Sequence, residues 1–269
     1  MDMYATNQNG PFASGGNIAG GFLPVMDFMS PGVKSELSVE GQGIVKGLLK
    51  SQTDDGKPFT EEHTAFVGSL LNTPTEGSGG FFSYPAQGNF IPKIGSNDII
   101  GSSEPGKFFT ICCMLLHPLS RGSSHITSSS PDAKPVIDPR YLSNPLDLEI
   151  LARHVRYISK IASAEPLSQL LKPNGRKNYG TPTDMSSLAE VKEYVKKAVL
   201  SCWHPTSTCA MLPLDKGGVV DSTLLVYGTK NLRIVDASVF PLSSRGNCQS
   251  TVYAVAEKAA DLIKGEYTS

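Results

Sequence analysis

The residues able to do chemistry gather in the last third of the chain. Cys202, His204 and Cys209 fall within eight positions, followed by Asp221, Asp236, Asn247 and Gln249. Read as metal ligands, Cys202-x-His204-x4-Cys209 has an unusual zinc spacing and no clear fourth ligand, so no metal site is expected. A neutral imidazole titrates in the range that suits a general base, and His204 has that chemistry available. Taken alone before Pro205, it reads more simply as a structural or surface histidine. Asn247 after Gly246 reads as a turn residue, and Asp236 as a cap or turn closure after a strand. His117 and Arg121 read as polar residues at a strand end and are left outside the site.

Three nucleotide and nucleophile motifs fail. Gly101-Ser102-Ser103-Glu104-Pro105-Gly106-Lys107 fits most of a P-loop, but its eighth position is Phe108 and a strand-like run follows. Gly41-Gln42-Gly43 leads to Lys46 and Gly77-Ser78-Gly79 leads to Phe82, so neither completes G-x-G-x-x-G. A G-x-S-x-G elbow is absent.

The elements that must carry these residues are partly legible. Residues 1–35 and 72–106 are rich in glycine and proline and read as loops. Phe108–Leu116 is a β-prone apolar run and is expected as a strand, with Val136–Asp138 as a short extended piece. Asn144-Pro145 opens a helix: Asn caps, and Pro suits the first turn. Leu148, Leu151, Val155 and Ile158 then recur at helical spacing. Ser187-x-x-Glu190 is a capping box for a second helix, with Val191 and Val195 on one face. Gly218–Tyr227 and Leu232–Asp236 read as strands. A last helix is expected from about Ser250 to Lys264, ending at Gly265, with Val252, Val255, Ala256, Ala259 and Ile263 inward.

Composition limits the partners. The 269 residues carry 24 Lys and Arg against 25 Asp and Glu, a net charge of −1. That argues against nucleic acid and against a polybasic membrane patch. No apolar run approaches the roughly 18 residues of a membrane span, and Met1–Gly10 lacks the pattern of a signal peptide. Five cysteines, odd in number and sparse, do not suggest a disulfide scaffold.

Taken in order, the C-terminal blocks carry more than each does alone. They are His204-Pro205-Thr206-Ser207-Thr208-Cys209-Ala210-Met211, Gly218-Val219-Val220-Asp221, Leu232 to Val239, Gly246-Asn247, and Ala256-Glu257-Lys258-Ala259-Ala260-Asp261-Leu262-Ile263. This series closely resembles the C-terminal signature of the glucose–methanol–choline (GMC) oxidoreductases, flavoenzymes that use FAD. A sparser resemblance reaches back through Ile137-Asp138-Pro139, His117-Pro118-x-Ser120-Arg121-Gly122 and Gly10-Pro11. The resemblance implies an α+β chain drawn from an α/β parent. Residues 1–200 would be a partial substrate domain with a mixed sheet, and residues 201–269 the strand–helix segment that returns to the FAD domain. It implies a chain without the N-terminal FAD-binding half, which would be its partner. It also implies a small-molecule alcohol as substrate.

Site residues follow from the same resemblance. His204 matches the family histidine beside the reactive edge of the flavin. Asn247, ten residues before Glu257, matches a second catalytic position held by His or Asn in the family. Asp236 and Ala237 match a block lying against the cofactor, and Gln249 a position near the isoalloxazine ring. Two departures stand out: Ser207 where the family commonly has Gly, and Ala210 where it often has a basic residue. Two other readings remain: a non-catalytic fragment or pseudoenzyme, and a cyclase or lyase on the same scaffold without net redox change.

Overall fold

A computed structural model describes residues 2–9, 19–30, 33–50, 58–88 and 105–267. Gly10-Pro11 and the first four residues of the P-loop-like stretch lie outside them. The elements run α1 (Asp2–Asn7), β1 (Ala19–Leu23), β2 (Met29–Ser30), β3 (Val33–Leu37), α2 (Val39–Lys50), α3 (Thr60–Leu71), β4 (Gly79–Tyr84) and β5 (Thr110–Leu115). After them come β6 (Ser123–His125), β7 (Val136–Asp138), α4 (Pro145–Ser163), α5 (Leu167–Leu170), α6 (Leu188–Ala198) and α7 (Gln249–Tyr267). Helices with small sheets make the chain α+β. Among the described residues every strand ladder is antiparallel rather than mixed.

The chain divides into two compact units, each interleaved in sequence. The first comprises Met1–Lys46, Leu70–Leu115 and Asn144–Cys202, and the second Gly47–Ser69, Leu116–Ser143 and Trp203–Ser269.

The first unit is built on the sheet β1-β4-β5. Central β4, Gly79-Gly80-Phe81-Phe82-Ser83-Tyr84, is buried along nearly its whole length. It pairs Phe82 with Gly20 on one side and with Cys112 on the other. The glycines of β1 and β4 read as loop residues in sequence; here they are strand positions. Gly79 has a packing reason: a Cβ there would lie 2.7 Å from the His154 ring of α4. Helix α4 begins as expected, with the Asn144 side chain accepting from the Leu146 N–H at 2.9 Å and Pro145 in the first turn. Ser187 caps α6 by accepting from the Glu190 N–H at 3.4 Å, and Val191 and Val195 are buried. Glu149 joins the two helices: it pairs with Arg153 at 2.6 Å and with Lys192 of α6. Those two cations hold its carboxyl below the usual range although burial pushes it up.

The second unit has a small core of Val220, Leu224, Val239, Phe240, Cys248 and Ala259, with Met211, Ala237, Ile234, Val252 and Val255 packed against it. The strands expected at Gly218–Tyr227 and Leu232–Asp236 are not formed. Only isolated bridges join Met211 to Val220, Val220 to Val226 and Leu225 to Arg233. The cause is Asp221, whose Oδ1 accepts from Thr223 N–H at 2.8 Å, Thr223 Oγ1 at 2.7 Å and Leu225 N–H at 3.1 Å. This side-chain turn takes donors that a strand needs, and Leu224 at φ +69 reverses the backbone.

Helix α7 also differs at its end. It passes through Gly265 to Tyr267, where Glu266 pairs with Arg233 and anchors the last turn. Its inward stripe is buried Ala259 with half-buried Val252 and Val255; Ala256 is exposed and Ile263 is 37% exposed. Helices α2 and α3, absent from the sequence reading, are 12 residues each.

Candidate functional site

His204, Asp236, Ala237, Asn247 and Gln249 all fall in the second unit, whereas Cys202 closes the first. His204 is half-buried in a loop bent at both ends by left-handed residues, Trp203 at φ +60 and Ser207 at φ +75. That conformation favours glycine, which accounts for the glycine commonly found in the family where Ser207 stands. Beyond the bend, residues 207–211 run beside 237–239. Ser207 N–H donates to the Ala237 carbonyl at 3.3 Å, Cys209 N–H to Ser238 at 2.9 Å, and Met211 N–H to Val239 at 2.8 Å.

That zipper brings the Asp236–Ala237 segment alongside the His204 segment. Asp236 is exposed and caps the short turn of helix at Ala237–Val239, its Oδ1 accepting from Ser238 N–H at 2.8 Å. Ala237 is half-buried against the core.

The third segment arrives at the start of α7. Gly246 at φ +77 turns the chain, Asn247 follows exposed, and Cys248 is 5% exposed in the core. The Cys248 carbonyl accepts from Val252 N–H at 2.9 Å, which opens the helix. Gln249 is exposed and its amide reaches Tyr253 Oη at 3.4 Å along its own helix. No acidic residue occupies the first turn, so the positive end of a 19-residue helix is not offset there.

Residues set aside in the sequence pack beside this segment. A ring N–H of His117 donates to the Ser243 carbonyl, while its Nε2 is buried with no partner among the described residues; the bonded nitrogen is therefore Nδ1. The edge of His117 meets Phe66 with ring centroids 5.6 Å apart. Burial lowers the His117 pKa, against the lift from the Ser243 carbonyl. His63, three positions before Phe66 on α3, is pushed down to about 4 by burial and by Arg121 and His117. Both rings are neutral near pH 7. The one cue in sequence was His63-x-x-Phe66, two rings on one helix face.

Among the described residues no group of three or more His, Cys, Asp or Glu is arranged to hold a metal ion. Cys202 is exposed, Cys209 half-buried, and all five cysteines are free thiols. No described helix is long and apolar enough to cross a membrane.

Known proteins define the class. The GMC oxidoreductase family model matches residues 118–256, just over half of the chain. The GMC oxidoreductase family protein Mala s 12 of Malassezia sympodialis is 42% identical over 178 residues, 65% of this chain and 28% of that protein. Dehydrogenase citC of Monascus ruber is 35% identical over 274 residues, 98% of this chain and 42% of that protein. A fungal aryl-alcohol oxidase structure superimposes with a TM-score of 0.71 at 28% identity, covering 97% of this chain and 40% of that one. Formate oxidase of Aspergillus oryzae, 24% identical with a TM-score of 0.74, shares the fold. The chain belongs to the GMC oxidoreductase family, whose cofactor is FAD, and it spans 28–42% of the length of the two relatives.

The donor set described above fits one end of that cofactor. Exposed Asn247 and Gln249 stand at the uncompensated N-terminus of α7, which suits a ring system that gains negative charge on reduction. No glycine-rich dinucleotide turn occurs in this sequence to receive a pyrophosphate.

Proposed function

We propose that this chain supplies the substrate-side groups of an alcohol-oxidising flavin centre, with His204 as base and Asn247 as its partner. Residues 1–200 then contribute to the substrate domain. Residues 201–269 contribute the segment that closes on an FAD-binding half, the partner this reading requires. One observation carries it: backbone and side-chain hydrogen bonds join the His204 loop both to Asp236–Ala237 and to the turn before Asn247.

FAD, when bound, supplies the acceptor for a hydride. The imidazole of His204 takes the hydroxyl proton, the substrate C–H bond gives up its electron pair, and a carbonyl forms. The Asn247 amide donates a hydrogen bond to the oxygen as negative charge builds on it, without offering a proton that competes with the one leaving. Ala237 and Gln249 are the residues that would border the ring system, and Asp236 would steady the Ala237 side through its cap on Ser238 N–H.

The test is anaerobic flavin reduction in the FAD-loaded protein containing this chain, with a panel of primary and aryl alcohols. His204→Ala should slow reduction by about 10²–10⁴-fold, the range of a general base. Unchanged reduction removes His204 from the role. Product formed at the substrate's own oxidation level, with no flavin reduction, would put a cyclase or lyase reaction ahead of oxidation.

A further inference from the structure

Ser243 is a junction that the sequence gives no reason to notice. Its hydroxyl lies 2.7 Å from Thr206 Oγ1, which in turn lies 3.1 Å from Ser207 Oγ. Its carbonyl accepts from the His117 ring. Thr206 is two residues beyond His204, and Ser243 four before Asn247. The next residue, Ser244, meets Thr251 of α7, with Oγ atoms 3.2 Å apart. The two loops named as chemical are thus joined side chain to side chain, and His117 fixes the backbone at the joint.

The orientation of His117 is chemically defined. With Nε2 unpartnered among the described residues, a bond to the Ser243 carbonyl needs a protonated Nδ1, so the ring can hold Ser243 only in this tautomer or as the cation. Phe66 stacks edge-on against it, and neither contact needs His117 to touch a substrate.

We propose that Thr206, Ser243 and His117 are positioning residues that set His204 relative to Asn247. This rests on the reading of those two as the reacting pair. The Thr206–Ser243 hydroxyl bond is the link, and His117 holds Ser243 in register for it. A hydroxyl–hydroxyl bond contributes about 0.5–1.5 kcal/mol, so losing it lowers the tied arrangement by about 2–10-fold.

Amide exchange of the intact chain reads the link without flavin. The reporters are Ser207, Cys209 and Met211, whose N–H groups bond to residues 237–239. Thr206→Val and Ser243→Ala should each reduce their protection by about 2–10-fold, and the double variant no further. Thr206→Ser, which keeps the hydroxyl, should restore it. In long-range proton–nitrogen spectra, His117 should show the Nδ1–H tautomer. In Thr206→Val the His204 ring resonances should move, and in Thr206→Ser they should return.

Additive losses in the double variant, or an Nε2–H tautomer at His117, would overturn the network. In the FAD-loaded protein Thr206→Val should slow substrate-driven flavin reduction by the same 2–10-fold factor, with Thr206→Ser at the wild-type rate. Reduction unaffected by Thr206→Val but abolished by His204→Ala refutes the positioning role and leaves the base standing. Reduction unaffected by His204→Ala refutes the base itself.

Discussion

His154 converts burial into acid sensitivity in the first unit, and the amount can be worked out. Its side chain is 1% exposed, Nε2 lies 3.0 Å from Ser78 Oγ, and the ring meets Phe81 edge-on at 5.5 Å. Burial pushes its pKa from the ordinary 6.5 down to about 4, although Asp27 pulls the other way. The unfolded chain therefore binds this proton more readily than the folded one. The stabilisation is complete above pH 6.5 and is lost as pH falls from there toward about 4. The full gap corresponds to about 3 kcal/mol, most of which is gone by about pH 4.5. His154→Gln retains a partner for Ser78 and cannot titrate. It should cost about 1–2 kcal/mol near pH 7 through lost ring packing. Urea unfolding followed by far-ultraviolet circular dichroism, near pH 7 and pH 4.5, separates the two effects. Carboxylates and the other histidines are common to both proteins, so the variant should lose about 2–3 kcal/mol less on acidification. Equal losses in the two proteins would refute the assignment of a neutral buried His154.

Backbone demands in the second unit give two further expectations. Ser207 at φ +75 should tolerate Gly with little change in stability, whereas Ser207→Val should cost about 1–2 kcal/mol in urea unfolding because a branched side chain resists that region. Gly218→Ala places a Cβ 1.8 Å from the Leu212 carbonyl oxygen, so the 211–219 turn must move; a loss of about 2–4 kcal/mol is expected by the same measurement. In the first unit, Asn144→Ala removes the acceptor for Leu146 N–H and should cost about 1 kcal/mol, visible as a lower thermal midpoint.

What was legible in sequence had a local cause. The Asn144 and Ser187 caps, the Val191 and Val195 stripe of α6 and the β-prone run before His117 are set by neighbours a few residues away, and they appear where expected; of the stripe expected on α4 only Leu151 is buried, the inward face being Leu146, Ile150 and His154. What failed was decided elsewhere. Glycines at positions 20, 21, 79 and 80 suggested loops, yet all four pair within one sheet, Gly20 opposite Phe82 and Gly21 opposite Phe81. The pattern of α2 was obscured by Gly41, Gly43 and Gly47, which weaken helix propensity without preventing tertiary packing. The Val219–Tyr227 run had strand composition, but one carboxylate at Asp221 took its donors. The motif series located the His204, Asp236 and Asn247 segments. It included His117 without giving it a role and was silent on Ser243, because a joint between loops leaves no spacing to read.

The motif blocks and the small core of the second unit alternate along the chain, and that alternation explains how a loop-rich region can present defined chemistry. Val239 and Phe240 are buried, and Asp236 stands exposed just ahead of them. Cys248 is buried, with Asn247 and Gln249 exposed on either side. Ala210 is buried, and half-buried His204 lies six residues upstream, beyond the bend at Ser207. Each polar group is a short tether from an apolar anchor, and the anchors share one cluster or the backbone zipper from Ser207 to Val239. Few side chains are needed to fix the anchors, and the polar groups themselves lie outside the core cluster. A hydroxyl joint between the tethers at Thr206 and Ser243 supplies the restraint that the core itself does not reach.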